Sequence, residues 1–169
     1  LESGKRSPSP EVVERLAQRL GCSPTVLADG RPSERERRIE LELAYSRLAL
    51  THGESRDARD RLLVLLDEEP LNRQQEDDAT FALARAHVQV GDTPRAIELL
   101  LPLFDRTRRG ESHLPISLVG MNLCGYYQDC GDIHRSVEVG QIAFDSAVAQ
   151  GLAGTEDYYR LAATLMWSY

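Results

Sequence analysis

The chain has 169 residues, 41% of them hydrophobic and 28% charged, so it carries enough apolar material for a packed core. Its net charge of −7 is uneven: residues 1–38 sum to +2 and residues 39–169 to −9. A basic head on an acidic body is compatible with nucleic-acid binding confined to the head. The three cysteines, Cys22, Cys124 and Cys130, form an odd set without CxxC spacing, which argues against a disulfide framework or a zinc site. Apolar runs such as Leu99-Leu100-Leu101 are far too short to cross a membrane, and a soluble, cytoplasmic protein is expected.

The first ten residues, Leu1-Glu2-Ser3-Gly4-Lys5-Arg6-Ser7-Pro8-Ser9-Pro10, read as a helix end, a glycine turn, a basic pair and a new helix start. Val12, Val13, Leu16, Ala17 and Leu20 then recur at helical spacing, with Ser9 as N-cap, Pro10 in the first turn and Gly21 as the stop. Ser23 can cap a second short helix through Val26 and Leu27, and Asp29-Gly30-Arg31-Pro32 is a turn cluster that marks a boundary. Residues 31–38 form a linker or the start of the next helix. A long helical pattern follows from Ile39.

From there the chain repeats. Gly53-Glu54-Ser55-Arg56-Asp57-Ala58, Gly91-Asp92-Thr93-Pro94-Arg95-Ala96 and Gly131-Asp132-Ile133-His134-Arg135-Ser136 each place a glycine five residues before a small residue. The glycines lie 38 and 40 residues apart. Apolar-periodic segments precede them (Leu41–Leu50, Phe81–Val90, Leu118–Tyr127) and follow them (Leu62–Leu66, Ile97–Phe104, Val137–Ala147). The unit is therefore helix, glycine turn, helix, with the glycine in a left-handed helix end and the small residue permitting close packing.

This unit resembles the tetratricopeptide repeat, a helix pair of about 34 residues. The repeat's first small position falls on Ser46, Ala84 and Cys124, its glycine on Gly53, Gly91 and Gly131, and its alanine on Ala58, Ala96 and Ser136. The match is degenerate: its closing proline is met only by Pro70, and its aromatic position holds Leu62, Leu100 and Gly140. Spacing above 34 implies longer connections, such as Arg106 to Pro115. The implied fold is all-α, the tail of a helix-turn-helix domain followed by a right-handed tetratricopeptide superhelix. Repeats are expected at 39–75, 77–113 and 117–151, with the first helix of a fourth at 157–169 and the array interrupted there.

The head, residues 1–30, resembles the C-terminal part of the phage-repressor-like (Xre-family) helix-turn-helix domain. The carrying residues are Leu1-Glu2-Ser3-Gly4-Lys5-Arg6-Ser7-Pro8-Ser9, then Leu16-Ala17, Leu20-Gly21-Cys22-Ser23 and Leu27. Gly4 permits a tight turn beside DNA, while Lys5, Arg6 and Ser7 are candidate phosphate contacts. Base reading belongs to a recognition helix, all but the end of which is expected before Leu1. The resemblance implies a bacterial transcriptional regulator that binds double-stranded DNA. In architecture it is similar to the peptide-sensing RRNPP group, which implies a homodimer with a peptide or protein ligand in a concave groove. A tetratricopeptide scaffold without DNA binding is the competing reading.

Groove candidates on the first helices are Arg47, Arg85, Gln89, Asn122, Gln128 and Asp129. Among them the Asn122 amide is the sharpest, because it can pair with both peptide-backbone groups. Gly120 and Gly125 sit inside one helix at a cost of about 1 kcal/mol each, which close helix packing would explain. Tyr126-Tyr127 and Tyr158-Tyr159 read as core and groove aromatics. His52, His87, His113 and His134 are scattered, with His87 on a packing position, and no HExxH, GxSxG, GxGxxG or P-loop pattern occurs. Glu68-Glu69 and Asp77-Asp78 read as solvated charge in or beside a loop. No enzyme, cofactor or metal is expected.

Overall fold

A computed structural model describes residues 9–20, 24, 33–68 and 70–167. Among the described residues the chain is all-α, with eight helices and no strand. They are α1 (Pro10–Leu20), α2 (Glu34–Thr51), α3 (Ser55–Glu68), α4 (Arg73–Gln89), α5 (Thr93–Arg108), α6 (Ile116–Asp129), α7 (Ile133–Ala149) and α8 (Glu156–Met166). None is long and apolar enough to cross a membrane. The expected second helix of the head, capped by Ser23, lies outside the described residues, as do Lys5, Arg6, Ser7 and Cys22.

Short turns make consecutive helices antiparallel, and each of α2 to α8 packs on its neighbour in the chain. First helices also touch across pairs, α2 on α4 and α6 on α8. One apolar core joins α2, α3 and α4 through Ile39, Leu43, Leu62 and Leu83; a second runs from α4 to α8 through Leu100, Ile116, Leu123 and Leu161. Helix α4 serves both cores, giving Ala79, Ala82 and Ala86 to one and Ala84 to the other.

Local chemistry sets where these helices begin and end. Ser33 accepts from Glu36 N–H at 3.1 Å while the Glu36 carboxylate accepts from Ser33 N–H at 2.7 Å. This capping box starts the first array helix at Glu34, so residues 34–38 are helix rather than linker. Asn72 and Gln75 form the same box at the start of α4. At the turns, Gly53, Gly91 and Gly131 adopt φ of 83°, 87° and 76°, the left-handed helix end that the repeat requires. The residue after each glycine donates its N–H back to Ala49, His87 and Tyr127 respectively. In two of the three turns that residue, Asp92 or Asp132, also caps the next helix. One Gly-Asp dipeptide thereby ends one helix and begins another.

The small positions are buried as the repeat demands: Ser46, Ala84 and Cys124 on first helices, Ala58, Ala96 and Ser136 on second helices. In the third pair the approach is close enough for the Cys124 thiol to donate to the Ser136 carbonyl at 3.1 Å. Gly140 replaces the expected aromatic because a Cβ there would stand 2.6 Å from Leu165 Cδ1 and 2.8 Å from Cys124 Sγ. The missing side chain is what lets α8 settle on α7.

The two glycines of α6 have different causes. A Cβ on Gly120 would collide with Ala143 Cβ, so close helix approach explains it. A Cβ on Gly125 would meet nothing within 4 Å, so packing does not explain that residue. Helix α5 runs to Arg108, which shortens the loop expected from Arg106 to residues 109–115. Gly120→Ala is expected to lower the midpoint of thermal unfolding despite its better helix propensity, by about 1–2 kcal/mol of net overpacking. Gly125→Ala is expected to raise stability by up to about 1 kcal/mol. Differential scanning calorimetry of the two variants reads both signs.

Candidate functional site

The register of each first helix is set by its small residue, and the residue that follows it faces away from the pair's core. Those following residues are Arg47, Arg85 and Gly125; in α8 the same place, two after buried Leu161, belongs to Ala163. Steps of four extend each into a strip: Phe81, Arg85 and Gln89 on α4; Met121, Gly125 and Asp129 on α6; Tyr159, Ala163 and Trp167 at α8. Contacts between first helices bring α2 beside α4, and α6 beside α8.

Several groove candidates reside on this face, with unequal availability. Arg47 is engaged: its guanidinium meets Asp78 at 2.8 Å. Gln89 is exposed and its carbonyl accepts from the Ser55 hydroxyl. Gln128 donates to the Thr164 carbonyl of α8 at 3.2 Å and so fastens two first helices together. Asn122 is half-buried, and both ends of its amide are occupied within α6: it donates to Leu118 O at 2.9 Å and accepts from the Tyr126 hydroxyl at 3.3 Å. Arg85 and Asp129 are exposed, and among the described residues neither forms an ion pair. Both act on Tyr126, whose hydroxyl burial pushes up to about 12 while Arg85 pulls it down and Asp129 raises it.

The acidic pair Asp77-Asp78 overturns its sequence reading as solvated loop charge. Both residues lie in the first turns of α4. Asp77 is 0% exposed and pairs with Arg106 of α5 at 2.5 Å. Asp78 is gripped on both oxygens, by Arg47 of α2 and by His113 of the loop before α6 at 3.1 Å. The pair therefore ties α4 to α2, to α5 and to the loop before α6. Nothing local in the sequence announces it, because the partners lie 29 to 35 residues away. Of the second acidic pair, Glu68 closes α3 and Glu69 lies outside the described residues.

His87 is a packing residue as expected, 8% exposed, with its Nδ1 3.1 Å from the Asp92 carboxylate. Tyr126 and Tyr127 are buried, and Tyr158 stacks on Phe144 with centroids 4.7 Å apart. Tyr159, at 63% exposed, and Trp167, at 88%, stand open on the strip face. Sequence reasoning missed Trp167, although its place eight residues beyond Tyr159 was readable as the same helix face. Among the described residues no group of His, Cys, Asp and Glu is placed to hold a metal ion.

Comparison with known proteins adds one finding: a helix-turn-helix family model matches residues 1–27. No curated protein and no solved structure matches the chain. The match covers the segment that carries Gly4-Lys5-Arg6 and α1, and this segment is similar to a helix-turn-helix module. Residues 28–169 lie beyond it.

Two outcomes test the site's chemistry. Asp77→Ala leaves the Arg106 guanidinium without its buried partner and is expected to cost about 3 kcal/mol in urea unfolding, whereas Asp78→Ala costs less because its partners reach water. Burial pushes the Cys124 thiol up to about 11, so it stays neutral and slow to alkylate at pH 8 while exposed Cys130 reacts. Since that folded value lies above the ordinary 9.0, the buried thiol's stabilising contribution is complete below pH 9 and declines as pH rises through about 11. Peptide mapping after iodoacetamide treatment and a pH series of melts check both statements.

Proposed function

We propose that the chain is part of a DNA-binding transcriptional regulator in which a helix-turn-helix head is joined to a tetratricopeptide-like body that senses a ligand. The observation that carries this reading is the family match over residues 1–27, which coincides with the chain's basic end. In this reading Lys5, Arg6 and Ser7 hold DNA phosphates and position the head, contacts that do not themselves read sequence. The body is an acidic stack of helix pairs, poor at holding DNA and suited to a different partner.

The strips on the first helices are the ligand surface of this proposal. Side-by-side first helices built around small residues are the geometry in which solenoids present a continuous binding face. A homodimer would place two heads about 34 Å apart on a palindromic site, and ligand on the strips would bias the geometry between them.

The DNA half is tested by titrating full-length protein against a labelled duplex at several salt concentrations. Replacing both Lys5 and Arg6 with alanine is expected to weaken binding to all sequences alike. It should also lower the slope of log affinity against log salt by about 1.8, for two lost phosphate contacts. An unchanged slope would remove these residues from the interface.

A further inference from the structure

The register of the repeat marks the residues of each first helix that meet the pair before it. On α4 they are Ala79, Ala82, Leu83 and Ala86, all buried in the core shared with α2 and α3. The same register on α6 gives Val119, Asn122, Leu123 and Tyr126, whose three apolar members are buried in the core that includes α5. On α2 it gives Leu41, Ala44, Tyr45 and Leu48, an apolar stripe at helical spacing. There the burial is missing: Leu41 is 68% exposed, Tyr45 39% and Leu48 57%. Exposed Val64 of α3 stands one turn beyond Arg61, whose guanidinium lies 4.3 Å from the centre of the Tyr45 ring, so α3 extends the patch. The described head helix approaches the body elsewhere. Ala17 and Gln18 of α1 border a hollow with Glu36, Ile39 and Asn72, and Ile39 lies about 160° around α2 from Leu41.

We infer that this uncovered face is where a second copy of the chain docks, with α2 of one copy antiparallel to α2 of the other. The stripe is self-complementary. A two-fold axis between Ala44 and Tyr45 brings Leu41 of each copy to Leu48 of the other and closes the interface on itself. Charge chooses the antiparallel sense. Exposed Arg37 and Arg38 flank one end of the stripe, while the other end carries the negative pole of the helix and exposed Glu54. Antiparallel pairing sets these ends against each other; parallel pairing would set each arginine pair against its copy.

Helix length supplies an independent argument. Glu34, where the head joins α2, lies about 16 Å along the helix from the axis at about 1.5 Å per residue. With helices about 9 Å apart, the two head attachment points stand about 33 Å from one another. That matches the spacing of about 34 Å between successive major-groove faces of DNA. The pairing rests on the packing register; its consequence for DNA rests on the regulator reading above.

Sedimentation equilibrium of full-length protein is expected to show a dimer. Leu41→Glu combined with Leu48→Glu should raise its dissociation constant at least a hundredfold. The helical circular dichroism of that variant should be unchanged, because both side chains are exposed in the single chain. A nitroxide on Glu34→Cys, with Cys22 and Cys130 replaced by serine, should report an electron–electron distance of about 33 Å in the dimer. A distance below about 20 Å denotes parallel pairing and overturns the arrangement. On a labelled duplex of about 30 base pairs the double glutamate variant should bind at least tenfold more weakly, because its two heads no longer act together. A dimer that binds no duplex removes the regulator reading and leaves the interface standing. A chain that sediments as a monomer at every concentration, or a dimer that survives both glutamates, overturns the inference and gives the face to the head or to a different protein.

Discussion

Everything on the strip face depends on how closely each pair of helices approaches. Small residues at Ser46, Ala84 and Cys124 meet small residues at Ala58, Ala96 and Ser136, and in the third pair a thiol reaches a backbone carbonyl across the gap. A larger side chain at any of these places would push the helices apart or rotate the first helix about its axis. Rotation by one residue, about 100°, would carry Arg85 or Gly125 off the strip altogether. The register of the strip is therefore a by-product of core packing one residue away. Gly120 and Gly140 extend the same constraint to the third pair and the helix beyond it, each giving up its side chain so that a neighbour can close in.

Between pairs the chemistry changes from apolar to polar. Asp77 reaches Arg106, Asp78 reaches Arg47 and His113, Gln150 donates to the Thr107 carbonyl at 2.9 Å, and Gln128 donates to that of Thr164. Buried ion pairs recover little net stability after desolvation, but they penalise any arrangement in which one partner lacks the other. A stack of similar helix pairs has many apolar ways to slip, and directional pairs of this kind favour one register. The seam is concentrated around α4, the helix that also contributes to both cores. That helix is thereby tied to α2, α3, α5 and the loop before α6.

The repeat itself was readable because its determinants are local. A glycine that must adopt positive φ, an aspartate that caps the following helix and a small residue five places on are fixed by backbone sterics within a few residues. The head's resemblance was readable for the same reason, and the helix-turn-helix match at residues 1–27 agrees with it. The polar seam was not readable. Asp77 has the same composition around it as many exposed acids, and its burial follows only from Arg106 arriving 29 residues later. Asn122 illustrates the converse: its amide suits a peptide backbone in principle, yet Leu118 and Tyr126 already occupy it.

The sequence by itself determined an all-α chain, the turns that divide it into pairs, and the charge contrast between head and body, because each follows from short-range periodicity or from counting. Only the tertiary structure decided which polar groups are spent on holding the stack together and which remain open. Gly120 and Gly125 show why: five residues apart in one helix, they read alike, but one is filled by Ala143 from α7 and the other faces open space. A residue's availability depends on what the rest of the chain brings near it, and that is a property of long-range packing.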